Sequence, residues 1–80
     1  MTYVYILQSI NVPDQYYIGW TSDLRARLAA HNSGRSTHTC KFRPWEIAFY
    51  AAFNSKERAI QFERYLKSGS GTVFRKRHLV

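Results

Sequence analysis

The stretch YYIGWTSDLRAR, residues 16–27, decides how the rest of the chain is organised. It opens with aromatic and β-branched residues, a composition typical of a β-strand. Thr21, Ser22 and Asp23 follow, and all three are residue types that begin helices. We therefore predict that a short strand ends near Gly19 and that a helix rich in arginine starts at once.

An earlier strand carries its own pair of tyrosines. Residues 2–7 are β-branched, aromatic or aliphatic, and residues 8–15 are rich in turn formers, so a hairpin is predicted. We expect Tyr5 to lie opposite Tyr17 in it. Because side chains alternate between the faces of a strand, the hairpin has two distinct faces. One carries Tyr3, Tyr5, Tyr17 and Gly19, and the other, the expected core face, carries Val4, Ile6, Tyr16, Ile18 and Trp20.

The tyrosine face has two interpretations. It is either the wall of a pocket or ordinary aromatic packing. In the first case Gly19, which has no side chain, leaves room where a phosphate can approach the phenol groups.

The helix of the opening stretch is predicted to run from about residue 23 to 32, with Thr21 or Ser22 as its N-cap. It should stop at Ser33-Gly34, where glycine suits the C-terminal cap. Residues spaced by three and four form one stripe, which consists of Leu24, Arg27, Leu28 and His31. Two polar side chains thus share a core-facing stripe, which makes both of them candidate site residues.

The second half of the chain is predicted to form a basic loop over residues 35–44, a third strand and a second helix. In the strand, residues 45–53, Trp45, Ile47 and Phe49 alternate against Glu46, Ala48 and Tyr50. The helix is capped by Asn54, with Glu57 at the reciprocal capping position, and runs from there to Lys67 before Ser68–Gly71 ends it. Its apolar stripe is Ala59, Phe62, Glu63 and Leu66. The tail, residues 72–80, should form a short basic helix.

Composition limits the class of protein. Eighty residues, of which 45% are hydrophobic, form a single domain over residues 1–80. Twelve Lys and Arg against five Asp and Glu give a net charge of +7, which favours nucleic acid as a partner over an anionic membrane or mere solubility. Cys40 is the only cysteine, which excludes an internal disulfide and fits a reducing cytoplasm. No signal-peptide pattern and no apolar stretch of about 20 residues is present, so no membrane partner is expected.

Glu63 is the most informative single residue. A carboxylate on an apolar stripe loses hydration, at a cost of roughly several kcal/mol, unless a cation or hydrogen-bond donors meet it. Pairing with Arg27 or Arg64 would be a structural explanation, and a divalent metal would be a functional one. Magnesium accepts one or two carboxylates and keeps waters and phosphate oxygens as its other ligands, so a lone glutamate beside a basic cleft suits it.

The other polar candidates have similar double interpretations. Arg27 can clamp a phosphate and stabilise the charge of its transition state, or it can form an ion pair. His31 can relay a proton, or it can be a helix-end residue satisfied by the backbone. Tyr5 and Tyr17 are either core aromatics or candidates for a general base, whose pKa must then fall from about 10.

The order of these residues resembles the GIY-YIG nuclease family over nearly the whole chain. The family includes homing and restriction endonucleases, the N-terminal nuclease of the bacterial excision-repair incision subunit, and structure-specific endonucleases. The residues that carry the resemblance are Tyr3-Val4-Tyr5, Tyr17-Ile18-Gly19, Arg27, His31 and a helical Glu63. The end of the second helix, residues 63–71, resembles the small single-domain branch of the family.

Two departures from the family pattern stand out. The first motif begins with Tyr3 where the family name has glycine, so Tyr5, at the end of the motif, is the matching tyrosine. The late asparagine of the family has no counterpart after Asn54, and His78 or Lys76 is the candidate for its place.

The resemblance implies a small α/β (α+β) domain, a three-stranded antiparallel sheet flanked by helices. It also implies a mechanism, in which Glu63 ligates one divalent metal ion, Mg²⁺ or Mn²⁺, and Arg27 stabilises the transition state. Tyr5 or Tyr17 activates the attacking water, and His31 assists.

The implied substrate is DNA, branched or damaged, in a pathway such as DNA repair and with a protein partner that supplies targeting. Nothing in the chain resembles a base-reading module, so binding should follow DNA structure and backbone and depend strongly on salt. The predicted backbone contacts are Arg35, Lys41, Arg43, Lys67, Arg75, Lys76 and Arg77. Two other classes stay open: a nucleic-acid-binding module with an idle nuclease site, and a protein-interaction domain.

Overall fold

The computed structural model describes residues 1–80 and contains one antiparallel sheet of three strands. The first strand, β1 (Thr2–Ser9), is central, with β2 (Tyr16–Thr21) on one side and β3 (Trp45–Phe53) on the other. Strand β1 is the most buried of the three, because both of its edges are paired. The predicted fold class, a three-stranded antiparallel sheet flanked by helices, is confirmed.

Three helices and one short turn complete the chain. They are α1 (Leu24–Asn32), α2 (Lys56–Lys67) and α3 (Gly69–His78), with a 3₁₀ turn at Cys40–Phe42 inside the basic loop. None of the three has the length and apolar character needed to cross a membrane.

The register of the hairpin differs from the prediction by two residues. Tyr5 pairs with Gly19, and Tyr17 pairs with Leu7. The reason is a shorter connection, in which Gln8 still pairs with Tyr16 and the Ser9 amide bonds to the carbonyl of Gln15. A shift of two residues preserves the faces of both strands, so the predicted grouping of side chains survives.

Both faces of the sheet are buried. On one face, α2 and α3 cover a core built on Val4, Ile6, Ala59 and Leu66. On the other face, α1 and the basic loop cover a second core built on Tyr5, Leu7 and Trp45. Trp20, predicted to be a core residue, is 38% exposed because it lies on an edge strand, and Lys56 lies over its ring.

A β-bulge in β3 changes which of its residues face each core. Leu7 pairs with Ile47 but the preceding Ile6 pairs with Phe49, so the ladder skips one residue of β3. Trp45 and Ile47 therefore pack with Tyr5, whereas Phe49 packs on the opposite face. The predicted strict alternation of these three side chains is wrong for this reason.

The helix caps also lie later than predicted. Asp23 itself is the N-cap of α1, and its carboxylate accepts from the amide of Ala26. Ser55, rather than Asn54, caps α2 by accepting from the amide of Arg58. Helix α1 ends at Asn32, before Ser33-Gly34 as predicted, with Gly34 in the left-handed region at φ 81°.

The joint between α2 and α3 is shorter than the Ser-Gly composition predicted. Only Ser68 separates the helices, and its hydroxyl accepts from the amide of Gly71 to cap α3. Gly71 lies so close to the end of α2 that a Cβ there would overlap the carbonyl of Tyr65. The glycine is inside the helix because only hydrogen fits at this contact.

Candidate active site

The centre of the site is a chain of three buried side chains. The hydroxyl of Tyr5 lies 3.1 Å from Nε2 of His31, and the other ring nitrogen, Nδ1, lies 2.7 Å from Oγ1 of Thr39. These residues come from β1, the last turn of α1 and the basic loop, and their exposures are 2%, 0% and 1%. Both imidazole nitrogens are therefore satisfied without water, which is what a fully buried histidine needs.

The surroundings of His31 favour its neutral form. Burial lowers the pKa of His31 below its ordinary value, and the nearby positive charge of Arg27 lowers it further. A neutral imidazole carries one N–H and one lone pair, and a hydroxyl can meet either of them. The two hydrogen bonds of the Tyr5–His31–Thr39 chain can therefore both point from Tyr5 towards Thr39 or both from Thr39 towards Tyr5. In either case each imidazole nitrogen has a hydroxyl partner.

Tyr17 lies beside this chain but is not part of it. Its ring centroid is 4.8 Å from that of His31 and 6.3 Å from that of Tyr5. Its side chain is only partly buried, whereas Tyr5 is enclosed. The two phenols therefore share one face of the sheet, as predicted, but only Tyr17 is open to solvent.

Gly19 provides the space that Tyr5 occupies. A Cβ at this position would lie 2.7 Å from the Tyr5 hydroxyl oxygen and 3.2 Å from Cε2 of Tyr17. We predicted that the missing side chain leaves room for a phosphate, and this is wrong. Because Tyr5 is directly opposite Gly19 in the true register, its own ring fills that room.

Arg27 supplies the positive charge of the site. It is exposed on α1, and its interactions with the phenols of Tyr5 and Tyr17 raise its pKa, so the guanidinium stays charged. Its charge and hydrogen bond lower the pKa of Tyr5, but burial is the larger effect and leaves that pKa raised overall. The phenol of Tyr5 is accordingly protonated at neutral pH.

Glu63 approaches the same place from α2. It is 9% exposed, and Lys67, one turn further along the helix, places its Nζ 2.7 Å from Oε2. The negative charge of Glu63 contributes to the raised pKa of Tyr5, so the carboxylate is within electrostatic range of the phenol. The partner of Glu63 is thus neither Arg27 nor Arg64, the two arginines considered above.

The structure holds no cluster of three His, Cys, Asp or Glu side chains that would cage a metal ion. The donor set is one carboxylate beside basic and phenolic groups. That set fits a magnesium-type ion which takes its remaining ligands from water and from a phosphate.

The predicted DNA-contacting residues lie on two sides of the sheet. In the basic loop, Lys41 lies over the ring of Phe42 and Arg43 lies against Gly34. On the other side, Arg75 of α3 lies over the ring of Tyr16, 4.6 Å from its centroid. Arg35, Lys76 and Arg77 are exposed, while Lys67 is bound to Glu63 and belongs to the site itself.

Thr39 was not identified from the sequence, and Lys67 was predicted as a DNA-backbone contact rather than as the partner of Glu63. Thr39 reaches His31 only because the loop folds back, and the carbonyl of Thr39 is held there by the indole N–H of Trp45. No periodicity in the sequence reports such a contact. The spacing of Lys67 from Glu63, by contrast, is a visible i,i+4 pair that could have been used.

Comparison with known proteins gives consistent matches. The family model described as GIY-YIG catalytic domain matches residues 1–77. A UPF0213 protein of Streptococcus pneumoniae serotype 4 is 41% identical over 66 residues, which cover 81% of this chain and 65% of that protein. A UPF0213 protein of Streptococcus pyogenes serotype M3 is 36% identical over 66 residues, 81% of this chain and 70% of its own. The solution NMR structure of a UPF0213 protein from Bacillus halodurans, 32% identical, superimposes with a TM-score of 0.53 over 92% of this chain and 81% of that one.

Proposed function

The chain belongs to the GIY-YIG catalytic domain family, and from this membership we propose that it is an endonuclease that hydrolyses DNA phosphodiester bonds with the help of Mg²⁺ or Mn²⁺. The observation that carries the proposal is the grouping of the two phenols with His31, where the ring of Tyr17 lies 6.3 Å from that of Tyr5 and 4.8 Å from that of His31. The charge of Arg27 and that of the nearly buried Glu63 both act on the Tyr5 phenol. Such a set can bind a phosphate, neutralise its charge and activate water.

Tyr17 is the residue we assign to the attacking water. A general base must reach water and must lose its own proton. Tyr5 is enclosed, is bonded to His31 and has a raised pKa, so it meets neither condition. Tyr17 is open to solvent and lies beside the Arg27 guanidinium.

Arg27 is assigned to the phosphate. Its guanidinium is exposed and permanently charged, and it can form two parallel hydrogen bonds to phosphoryl oxygens. Its place beside both tyrosines brings the bound phosphate next to the phenol of Tyr17. His31 acts through Tyr5 and keeps that ring in place.

Glu63 is the residue that would hold the metal ion, which when bound would supply Lewis-acid stabilisation of the phosphoryl group. In the folded protein Lys67 neutralises this carboxylate. Glu63 would hold the ion in competition with this ion pair, and Lys67, whose side chain is 51% exposed, has room to move aside.

The same ion pair favours a second candidate function, a DNA-binding module whose nuclease site is idle. If Lys67 holds Glu63 against any metal ion, the basic surface still binds DNA but no cleavage follows. The first candidate, the endonuclease, includes cleavage that is directed by DNA structure and targeting that is supplied by a protein partner.

The decisive experiment incubates the purified protein with branched, nicked and linear DNA in Mg²⁺ or Mn²⁺. Cleavage of at least one substrate is expected. Glu63→Gln and Arg27→Ala should each lower the rate by about 10²- to 10³-fold. Glu57→Gln, which neutralises an exposed carboxylate of the same helix, should leave it unchanged.

The outcomes separate the two candidates. Full activity of Glu63→Gln would refute the metal-ligand role. If the wild type binds DNA without cleaving it and Lys67→Ala cleaves it in the presence of metal, the protein is the idle module. The Lys67–Glu63 ion pair is then what keeps its nuclease site inactive.

A further inference from the structure

A groove separate from the active-site residues lies between the start of α1 and strands β1 and β3. Its volume is about 410 Å³, within the range of roughly 300–1,000 Å³ for small-molecule sites. None of the proposed catalytic residues lines it. The lining residues are Tyr3, Ser22, Asp23, Leu24, Arg25, Ile47 and Tyr50. We refer to it as the Tyr50 groove.

Two tyrosine rings give the groove its shape. Tyr50 is 55% exposed, which is unusual for so large an aromatic side chain in the middle of a strand. Tyr3 meets Tyr50 edge to face, with ring centroids 6.3 Å apart and an interplanar angle of 60°. That contact braces the Tyr50 ring, and the exposed part of the ring is available for stacking. Tyr3 is also the residue that stands where the family pattern has glycine.

The polar groups of the groove have opposite charges. Arg25 is exposed on one wall, and the carboxylate of Asp23, which accepts from the amide of Ala26, is on the same wall. A bare phosphate would meet the negative charge of Asp23. A nucleobase, in contrast, offers a flat ring to Tyr50 and an amino group to Asp23, while its own phosphate meets Arg25.

The groove lies next to the proposed active site along β1. Tyr3 and Tyr5 are two residues apart on the same face of β1, which places their Cα atoms about 7 Å apart. Arg25 and Arg27 are also two residues apart, but on the helix α1 their side chains point to different sides, and only Arg25 lines the groove. The short spacing along β1 is what lets a DNA strand whose phosphate is at Arg27 reach the groove with a neighbouring nucleotide.

We propose that the Tyr50 groove binds one unpaired nucleobase of a DNA strand, stacked on Tyr50 beside the nucleotide whose phosphate is cleaved. The proposal deepens the proposed function, since only the function fixes which phosphate is the neighbour. It names the substrate class as DNA with a single-stranded or flapped nucleotide next to the cleavage position.

The test measures binding of a fluorescent single-stranded oligonucleotide in EDTA, where no cleavage occurs. Tyr50→Ala should weaken binding by about 5- to 100-fold, the usual effect of losing one stacked base. Tyr50→Phe retains the ring and should bind within about twofold of the wild type. Tyr65→Ala removes a tyrosine of similar exposure, 42%, from α2 on the opposite face of the sheet, and should also bind within about twofold.

An abasic oligonucleotide shows whether the lost contact is to a base. Moving one abasic position along the oligonucleotide should weaken binding of the wild type at one position and should leave Tyr50→Ala unaffected. Arg25→Ala should reduce the slope of log K against log salt by about one, while Tyr50→Ala leaves that slope unchanged.

Tyr50→Ala with wild-type affinity, or equal sensitivity of both proteins to the abasic position, would overturn the proposal. Because the readout is binding in EDTA, it does not depend on nuclease activity. If the wild type is inactive as a nuclease but still shows the Tyr50-dependent contact to a base, the proposed function is refuted and base binding in the Tyr50 groove is supported.

Discussion

Tyr5 and Tyr17 carry the same phenol group in different surroundings. Tyr5 is 2% exposed and its hydroxyl is bonded to His31, whereas the ring of Tyr17 is tilted against the same imidazole and is only partly buried. A phenol inside a closed hydrogen-bonded chain is suited to hold its neighbours in place. A phenol at the edge of that chain is suited to exchange a proton with water.

The two tyrosines should therefore respond differently to loss of the hydroxyl. Tyr17→Phe is expected to lower kcat by about 10²- to 10⁴-fold with little change in stability, as for loss of a general base. Tyr5→Phe leaves Nε2 of His31 without its partner and should lower the free energy of unfolding by about 1–3 kcal/mol. Single-turnover cleavage and urea denaturation of both variants provide the comparison. A larger kinetic loss in Tyr5→Phe would reverse the assignment.

His31 should make stability depend on pH. Its pKa is lowered in the folded protein from an ordinary value of 6.5, so between the two values the unfolded chain binds a proton that the folded protein does not. Stability rises with pH wherever the unfolded state binds more protons. The free energy of unfolding should thus be highest above pH 6.5 and should fall as the pH drops below it.

Urea denaturation between about pH 5 and 8 checks this dependence. His31→Gln, although less stable at every pH, should lose the part of the slope that His31 causes. An identical slope in wild type and variant would show that other groups produce it.

At this scale the sequence singled out most of the candidate residues. Arg27, His31 and Glu63 were chosen because each is a polar side chain on an apolar helical stripe, and in the structure His31 bonds to Tyr5 while the charges of Arg27 and Glu63 both act on the Tyr5 phenol. Thr39 could not be found in this way. Its contact with His31 depends on the path of an irregular loop, which no residue spacing encodes.

Helices α2 and α3 are in close backbone contact where they join. A Cβ at Gly71 would lie 1.7 Å from the carbonyl oxygen of Tyr65, and the backbone cannot yield there as a side chain could. A Cβ at Gly69, only two residues earlier, would meet nothing within 4 Å. The pair offers a matched test of close helix packing.

Gly71→Ala should lower the free energy of unfolding by about 1–3 kcal/mol or more, as overpacking does. Gly69→Ala should change it by no more than about 0.5 kcal/mol. Thermal unfolding of the two variants decides the matter. Equal melting temperatures would mean that α3 can move away from α2 at little cost.

The elements themselves were predictable, but their alignment was not. Strand and helix composition located all three strands and the first two helices, because each has a clear period or cap. The hairpin register was wrong by two residues because either pairing gives the same faces. The helix α3 was predicted too short because glycine was taken to end a helix, whereas Gly71 allows a close contact inside one.

On the scale of the whole molecule, positive charge lies on both sides of a thin domain. The principal extents are 28 × 26 × 17 Å, and the net charge is +7. The basic loop covers the α1 side, and α3 lies on the α2 side with Arg75 over Tyr16 of β2. Strand β2, which carries Tyr17, is thus an edge with basic segments on either side.

DNA that lies along this edge should contact both segments. The double variant Lys76→Ala, Arg77→Ala is expected to reduce the slope of log K against log salt by about two, with a uniform loss of affinity across sequences. Arg58→Ala, a charge removed from the first turn of α2, provides the control. A slope unchanged by the double variant would confine DNA to the α1 side.

The bulge in β3 has a consequence for the economy of so small a domain. The bulge leaves one residue between Ile47 and Phe49 without a partner on β1. The odd-numbered side chains before the bulge therefore lie on one face of the sheet and those after it lie on the other. Trp45 can then close the layer around Tyr5 while Phe49 closes the layer under α2. The extra residue is Ala48, and deleting it would make Ile47 and Phe49 neighbours, which ordinary strand alternation already places on opposite faces. Deletion of Ala48 should therefore straighten β3 and keep both layers closed, whereas deletion of a paired residue such as Phe49 would turn the rest of the strand over.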